Sequence, residues 1–178
     1  MREDGVSDNY SRVLGVSRIA LKIARILNLA AAAAFLAMLL ASFVFEPVFR
    51  DYYHRRPPLD ADVIIPVMRL WVVVGLPMFA AVHVMLSRLL DMIGTVRAGD
   101  PFVPENAARV KTVAWCLLVV QLFELACGIF IGVLERAGAD VGDWDPSLSG
   151  WVAVLLLFVL ARVFEEGARI RADLEAMV

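Results

Sequence analysis

The sequence predicts an all-α polytopic membrane protein with four transmembrane helices and both termini cytoplasmic. Three observations carry this reading. Of the 178 residues, 61% are apolar and 20% charged, with a mean hydropathy of +0.74. A soluble domain is nearer half apolar and a quarter charged. Four apolar runs reach the roughly 20 residues that a bilayer core about 30 Å thick requires. Lys and Arg are also distributed unevenly between the connecting segments. Disorder needs low hydrophobicity and high net charge. The formal net charge is −2, so there is no bulk basic field and no direct nucleic-acid binding is expected.

The first run, Ile26 to Phe45, is interrupted only by Asn28 and Ser42. It is longer than the roughly 7–15-residue apolar core of a signal peptide, and no A-x-A cleavage pattern follows it, so it is expected to be a span. Ahead of it, residues 1–25 form a cytoplasmic segment with Val13, Val16, Ile19, Ala20 and Ile23 at helical spacing, a candidate interfacial helix. The second span runs from about Ile64 to Leu86, with Arg69 near its start and His83 near its end. Pro77 removes a backbone bond to Val73 and predicts a kink there. The third span, Val113 to Leu134, carries Gln121 and Glu124; the fourth, Leu148 to Phe164, ends beside Arg162. None of these runs alternates as a membrane β-strand would. Backbone groups in lipid must bond within their own segment, so each is expected to be a helix. Residues 26–178 then form one transmembrane domain, including a loop at 94–111 and a tail at 165–178.

Orientation follows the positive-inside bias. With the N-terminus inside, the inner segments carry Arg2, Arg12, Arg18, Lys22, Arg25, Arg88, Arg97, Arg109, Lys111, Arg162, Arg169 and Arg171. The outer ones carry only Arg50, Arg55, Arg56, Arg69 and Arg136. Of the outer loops, Arg50 to Asp62 reads as a short ordered turn near headgroups. Ala139 to Gly150 holds Asp140, Asp143 and Asp145 without the spacing of a calcium loop. Trp144 and Trp151 are expected interfacial anchors.

No chemistry-bearing constellation is present. Cys116 and Cys127 lie about 16 Å apart along one helix and cannot bridge. No Cys or His cluster has metal-ligand spacing. There is no nucleophile–base pair and no phosphate-binding glycine loop. Catalytic residues, metals and cofactors are therefore not expected, and the chain is not read as an enzyme.

Two regions remain as functional candidates. A carboxylate near mid-bilayer costs several kcal/mol unless neutral or paired, which singles out Glu124 as either a proton or ligand site or a polar anchor between helices. Gln121, Glu124, Gly128 and Gly132 share one helix face. Gly128 and Gly132 make a G-x-x-x-G pair that allows close helix approach. Counting depth from the membrane edges pairs Glu124 with Arg162. Arg69 is a second partner or a residue that snorkels outward; His83 is an inner-interface residue or a distant relay. The other region is the loop GTVRAGDPFVPENAARVK at 94–111. Gly99-Asp100-Pro101 is a turn signal. Pro104 suits a first helical turn with Glu105 at its positive end. The tail carries Val163, Gly167, Ile170, Leu174 and Met177 as an apolar stripe. Loop and tail are expected to pack together, through Phe102 and Val103 against Phe164 and Ile170, with Arg97, Arg109 and Lys111 opposite Glu165, Glu166 and Asp173.

The run Gly99 to Arg109 and the ending Val163 to Leu174 resemble the signatures of the domain-of-unknown-function (DUF) 2975 family, over roughly Leu27 to Val178. The resemblance implies a small bacterial inner-membrane protein of four helices, encoded beside a small helix-turn-helix regulator, with no established activity. Its strongest positions match Pro101, Phe102, Pro104, Glu105, Asn106, Phe164, Gly167 and Arg169, with Asp100 in the same run. Glu124 and the glycine pair are outside that signature. Two functions follow as expectations. One is a non-catalytic regulatory or interaction protein with a cytoplasmic docking face. The other is an oligomeric small-molecule or ion transporter or channel using Gln121, Glu124 and Arg162.

Overall fold

The computed structural model describes residues 3–55, 60–136 and 147–176. Five helices account for nearly all of them: α1 (Glu3–Val44), α2 (Glu46–His54), α3 (Ala61–Arg97), α4 (Pro104–Arg136) and α5 (Leu148–Glu175). Among the described residues there is no strand. Four helices hold stretches long and apolar enough to cross a membrane: Arg12–Val44, Ala61–Arg97, Pro104–Val133 and Leu148–Leu174. The expectations for Pro57-Pro58, for Asp140, Asp143, Trp144 and Asp145, and for Met177 lie outside the described residues.

The chain divides into two compact units, residues 26–80 and residues 1–25 with 81–178. Few side chains are buried in either. Val152, Leu155, Leu156 and Val159 on α5 are all more than half exposed. In water such a surface would be unstable; against acyl chains, which are as apolar as leucine, it carries no penalty.

In the unit 26–80, α1 and α3 run antiparallel. Asn28 donates from Nδ2 to the Phe79 carbonyl at 3.0 Å, and Phe35 meets Phe79 edge-on at 5.1 Å. Ala61, Ile65 and Val72 of α3 are buried. The segment read as a turn at Arg50 to Asp62 instead begins with α2, whose first turn holds Pro47 and Glu46. Proline at the start of a helix loses no intrahelical bond, and an acid there meets the positive end of the dipole. The helix α3 continues through both Pro66 and Pro77.

In the other unit, α4 and α5 pack against each other. Their register is fixed by Trp115 edge-on to Phe158 at 5.3 Å and by Gln121 lying on Gly150. A Cβ on Gly150 would sit 2.2 Å from Gln121 Nε2. The close approach on this face therefore occurs at Gly150. Nothing lies within 4 Å of a Cβ built on Gly132, so the tight crossing expected at the Gly128–Gly132 pair is not made at Gly132 within this chain. Gly128 itself is buried.

Candidate functional site

A connected polar site lies where α3 hands over to α4. Gly99 has φ +83°, the left-handed conformation that glycine adopts without a Cβ penalty. The Gly99 N–H donates to Val96 O at 3.1 Å and the Asp100 N–H to Thr95 O at 3.0 Å. This pair of bonds is a Schellman closure, which satisfies two carbonyls that the end of α3 would leave open. Pro101 follows and stops the helix, and Pro104 opens α4.

Asn106, with no exposed surface, joins the pieces. Its Nδ2 donates to Thr95 Oγ1 at 2.7 Å and to Pro101 O at 2.9 Å. Its Oδ1 accepts from Arg109 Nη1 at 2.8 Å. Both amide hydrogens and the amide oxygen are thus used, as a buried amide requires. Thr95 Oγ1 donates in turn to Met92 O at 2.8 Å.

The same loop meets the end of α5. Phe102 and Phe164 have ring centroids 5.6 Å apart. A Cβ on Gly167 would approach Phe102 Cδ1 to 2.9 Å, so a glycine here lets the ring lie against the helix backbone. Arg171 forms an ion pair with Asp100. Loop and tail therefore meet as the sequence suggests, through Phe102 and Phe164. The charge pairing differs. Glu165 bonds Arg162 at 3.0 Å and Glu166 bonds Arg169 at 2.7 Å, each three residues apart on α5. These acids neutralise their own helix, because i,i+3 neighbours are already in reach. Glu105 lies in the first turn of α4, exposed.

The intramembrane candidates separate. Arg162 does not reach Glu124; its side chain is 84% exposed and bonded to Glu165. The register explains this. Trp115 faces Phe158 and Gln121 faces Gly150, so Glu124 stands opposite the first turn of α5. Arg162 begins the second half of that helix, about 20 Å further along. Counting both residues from assumed membrane edges missed this offset. Glu124 is half-buried, with no hydrogen bond or ion pair among the described residues. Gln121 is buried against Gly150. His83 has a buried Nδ1 with no hydrogen-bond partner among the described residues.

Arg69 does not snorkel. Its Nε donates to Ser42 Oγ at 3.0 Å, and Nη2 to the Ser42 carbonyl and to Glu46 Oε2, the latter at 3.1 Å. The guanidinium carbon lies 3.9 Å from the centroid of the Phe43 ring. Arg69 thus takes up an open carbonyl at the end of α1 and ties α2 to α3. Arg50 bonds Glu46 at 3.0 Å and also pairs with Asp62. Arg69 first, and Arg50 second, hold the Glu46 carboxyl below the usual carboxylate range. Bonding to Asp62, then Glu46, holds the Arg50 guanidinium above its ordinary value. Sequence reasoning missed Glu46 and Ser42. The available signal was an acid, Glu46, at the membrane edge one residue past the apolar run that ends at Phe45, with a cation, Arg69, in the next span.

Among the described residues no group of His, Cys, Asp and Glu could hold a metal ion. Helical architecture, four membrane-capable helices and a polar junction outside the apolar runs define a multi-pass membrane protein. A family model described as a protein of unknown function, DUF2975, matches residues 25–178, and the chain belongs to that family. No curated protein and no solved structure matches it.

Proposed function

We propose that this chain is a regulatory or interaction protein without catalytic activity, set in the bacterial inner membrane with both termini in the cytoplasm. Its docking face is the α3–α4 loop together with the end of α5. The observation that carries this reading is the organisation of that junction. Asn106 is fully satisfied and buried while apolar side chains of the loop and of the end of α5 stay in the open: Phe102 is 44% exposed and Ile170 52%. A rigid polar scaffold that presents apolar groups outside the spans suits a partner. The family resemblance suggests a small helix-turn-helix regulator, and a second copy of the chain is the other candidate.

The test has two arms. A reporter fused after Val178 is expected to be active on the cytoplasmic side; periplasmic activity overturns the orientation. The full chain in nanodiscs is expected to bind the neighbouring regulator, and Ile170→Asp to weaken that binding at least tenfold. Equal binding by both would remove the docking face.

A second reading rests on Glu124, a half-buried carboxylate in an apolar helix with no partner among the described residues. Such a group gains most by meeting a polar group on another copy. An oligomeric transporter or channel lined by Gln121 and Glu124 would give ion flux in liposomes that Glu124→Leu abolishes.

A further inference from the structure

Between the first two turns of α4 and the last half of α5 lies a groove of about 630 Å³. It exists because both helices turn short side chains toward it. Ala107 and Ala108 on α4 face Ala161 and Ala168 on α5, and the last two are 6% and 8% exposed. Methyl groups leave a space that leucines would fill. The Trp115–Phe158 contact sets the register of the two helices at the groove's deeper end.

The groove changes character along its length. Phe158 lines the deeper end, within the unbroken apolar run Trp151 to Ala161. Arg162 is the first charge after that run, and Lys111 the last before the apolar stretch of α4. Each stands one helical turn, about 6 Å, outward from the Trp115–Phe158 contact. Two cations from two helices therefore reach the same depth, at the boundary between hydrocarbon and headgroups. Arg169 lines the groove two turns further out, and among the described residues Glu165 is the one acid in its wall.

We propose that this groove binds one anionic phospholipid, its phosphate held by Lys111, Arg162 and Arg169 and an acyl chain laid toward Phe158. Charge complementarity selects the headgroup. Lys111 makes no ion pair among the described residues. The two arginines are paired with Glu165 and Glu166, but those pairs are exposed and weak, and a guanidinium has further donors for a phosphate. The apolar deeper end selects a lipid over an acidic peptide, since a peptide backbone there would leave its polar groups without partners. The site does not depend on the proposed docking function or on which side of the membrane these helix ends face. Basic pockets between membrane helices commonly recognise such headgroups.

The experiment is native mass spectrometry of the full chain from a neutral detergent, with phosphatidylglycerol or phosphatidylcholine added. Wild type is expected to retain one phosphatidylglycerol at least tenfold more than phosphatidylcholine. Combined Lys111→Gln, Arg162→Gln and Arg169→Gln is expected to remove that preference, with the helical circular dichroism unchanged. Ala108→Leu fills the groove, leaves every charge in place, and is expected to lower retention at least tenfold. An excess of glycerol phosphate is expected to displace nothing. Equal retention of the two lipids, or retention by both variants, overturns the proposal. Displacement by glycerol phosphate would mean a site for a soluble phosphate. An acidic peptide that binds the groove while no lipid is retained would assign it to a protein partner.

Discussion

Replacing Asn106 by alanine isolates what holds the α3–α4 junction. The side chain makes three hydrogen bonds of 2.7, 2.9 and 2.8 Å and has no exposed surface. Their loss is not uniform. Thr95 Oγ1 keeps its bond to Met92 O, and Arg109 is only half-buried and can turn to water. The Pro101 carbonyl loses its amide donor. A net bond is worth about 0.5–1.5 kcal/mol, and a buried group left unpaired costs about 1–3 kcal/mol. Asn106→Ala should therefore weaken the junction by about 2–3 kcal/mol, not the larger sum of three full penalties. The assay is hydrogen exchange on the full chain in nanodiscs, read at the amides of residues 99–111. Since about 1.4 kcal/mol is a factor of ten, protection there should fall by roughly 30- to 150-fold. The apolar part of α4 should exchange as before, because its bonds are intrahelical. Protection within threefold of wild type would refute the argument and mean that Phe102 and Phe164 hold the junction alone.

Gly99→Ala should destabilise the same junction by about 1–2 kcal/mol, since φ +83° places a Cβ in the left-handed region; thermal unfolding in detergent reads this. Acidification tests the Arg69 site. Glu46 has a depressed carboxyl pKa, so its contribution is complete above the unfolded carboxylate value of about 4.3 and lost as pH falls through the folded value. Protection of the α2 amides, taken relative to their intrinsic exchange rate at each pH, should be constant from pH 7 to 5 and fall only below about pH 4; a change centred near pH 6 would implicate another group. Glu124→Leu should leave the packing of α4 on α5 intact in detergent and not destabilise it, because no intrachain partner among the described residues is lost. A marked fall in melting temperature would reveal a contact that the structure does not contain.

Much of this protein was written in local sequence. Apolar runs of bilayer length determine four helices with no reference to tertiary contacts, because lipid leaves a backbone no other way to bond. Gly99, Pro101 and Pro104 likewise mark a helix end, a break and a helix start, each through a local dihedral or a missing N–H. Phe102 and Phe164 could be paired from sequence because the turn is short and each flanks a span.

Tertiary structure decided what depends on register. Whether Arg162 meets Glu124 turns on how far α5 slides along α4, which hydropathy does not encode; Trp115, Phe158 and the fit of Gln121 on Gly150 set it. The partners of Arg69 depend on a turn that returns Glu46 beneath it. Gly128 and Gly132 look in sequence like a close crossing, yet nothing approaches Gly132, and tight approaches fall at Gly150 and Gly167, where the facing side chain is large and the glycine makes room for it. Spacing within one helix establishes which residues share a face; only the neighbouring helix determines what that face meets.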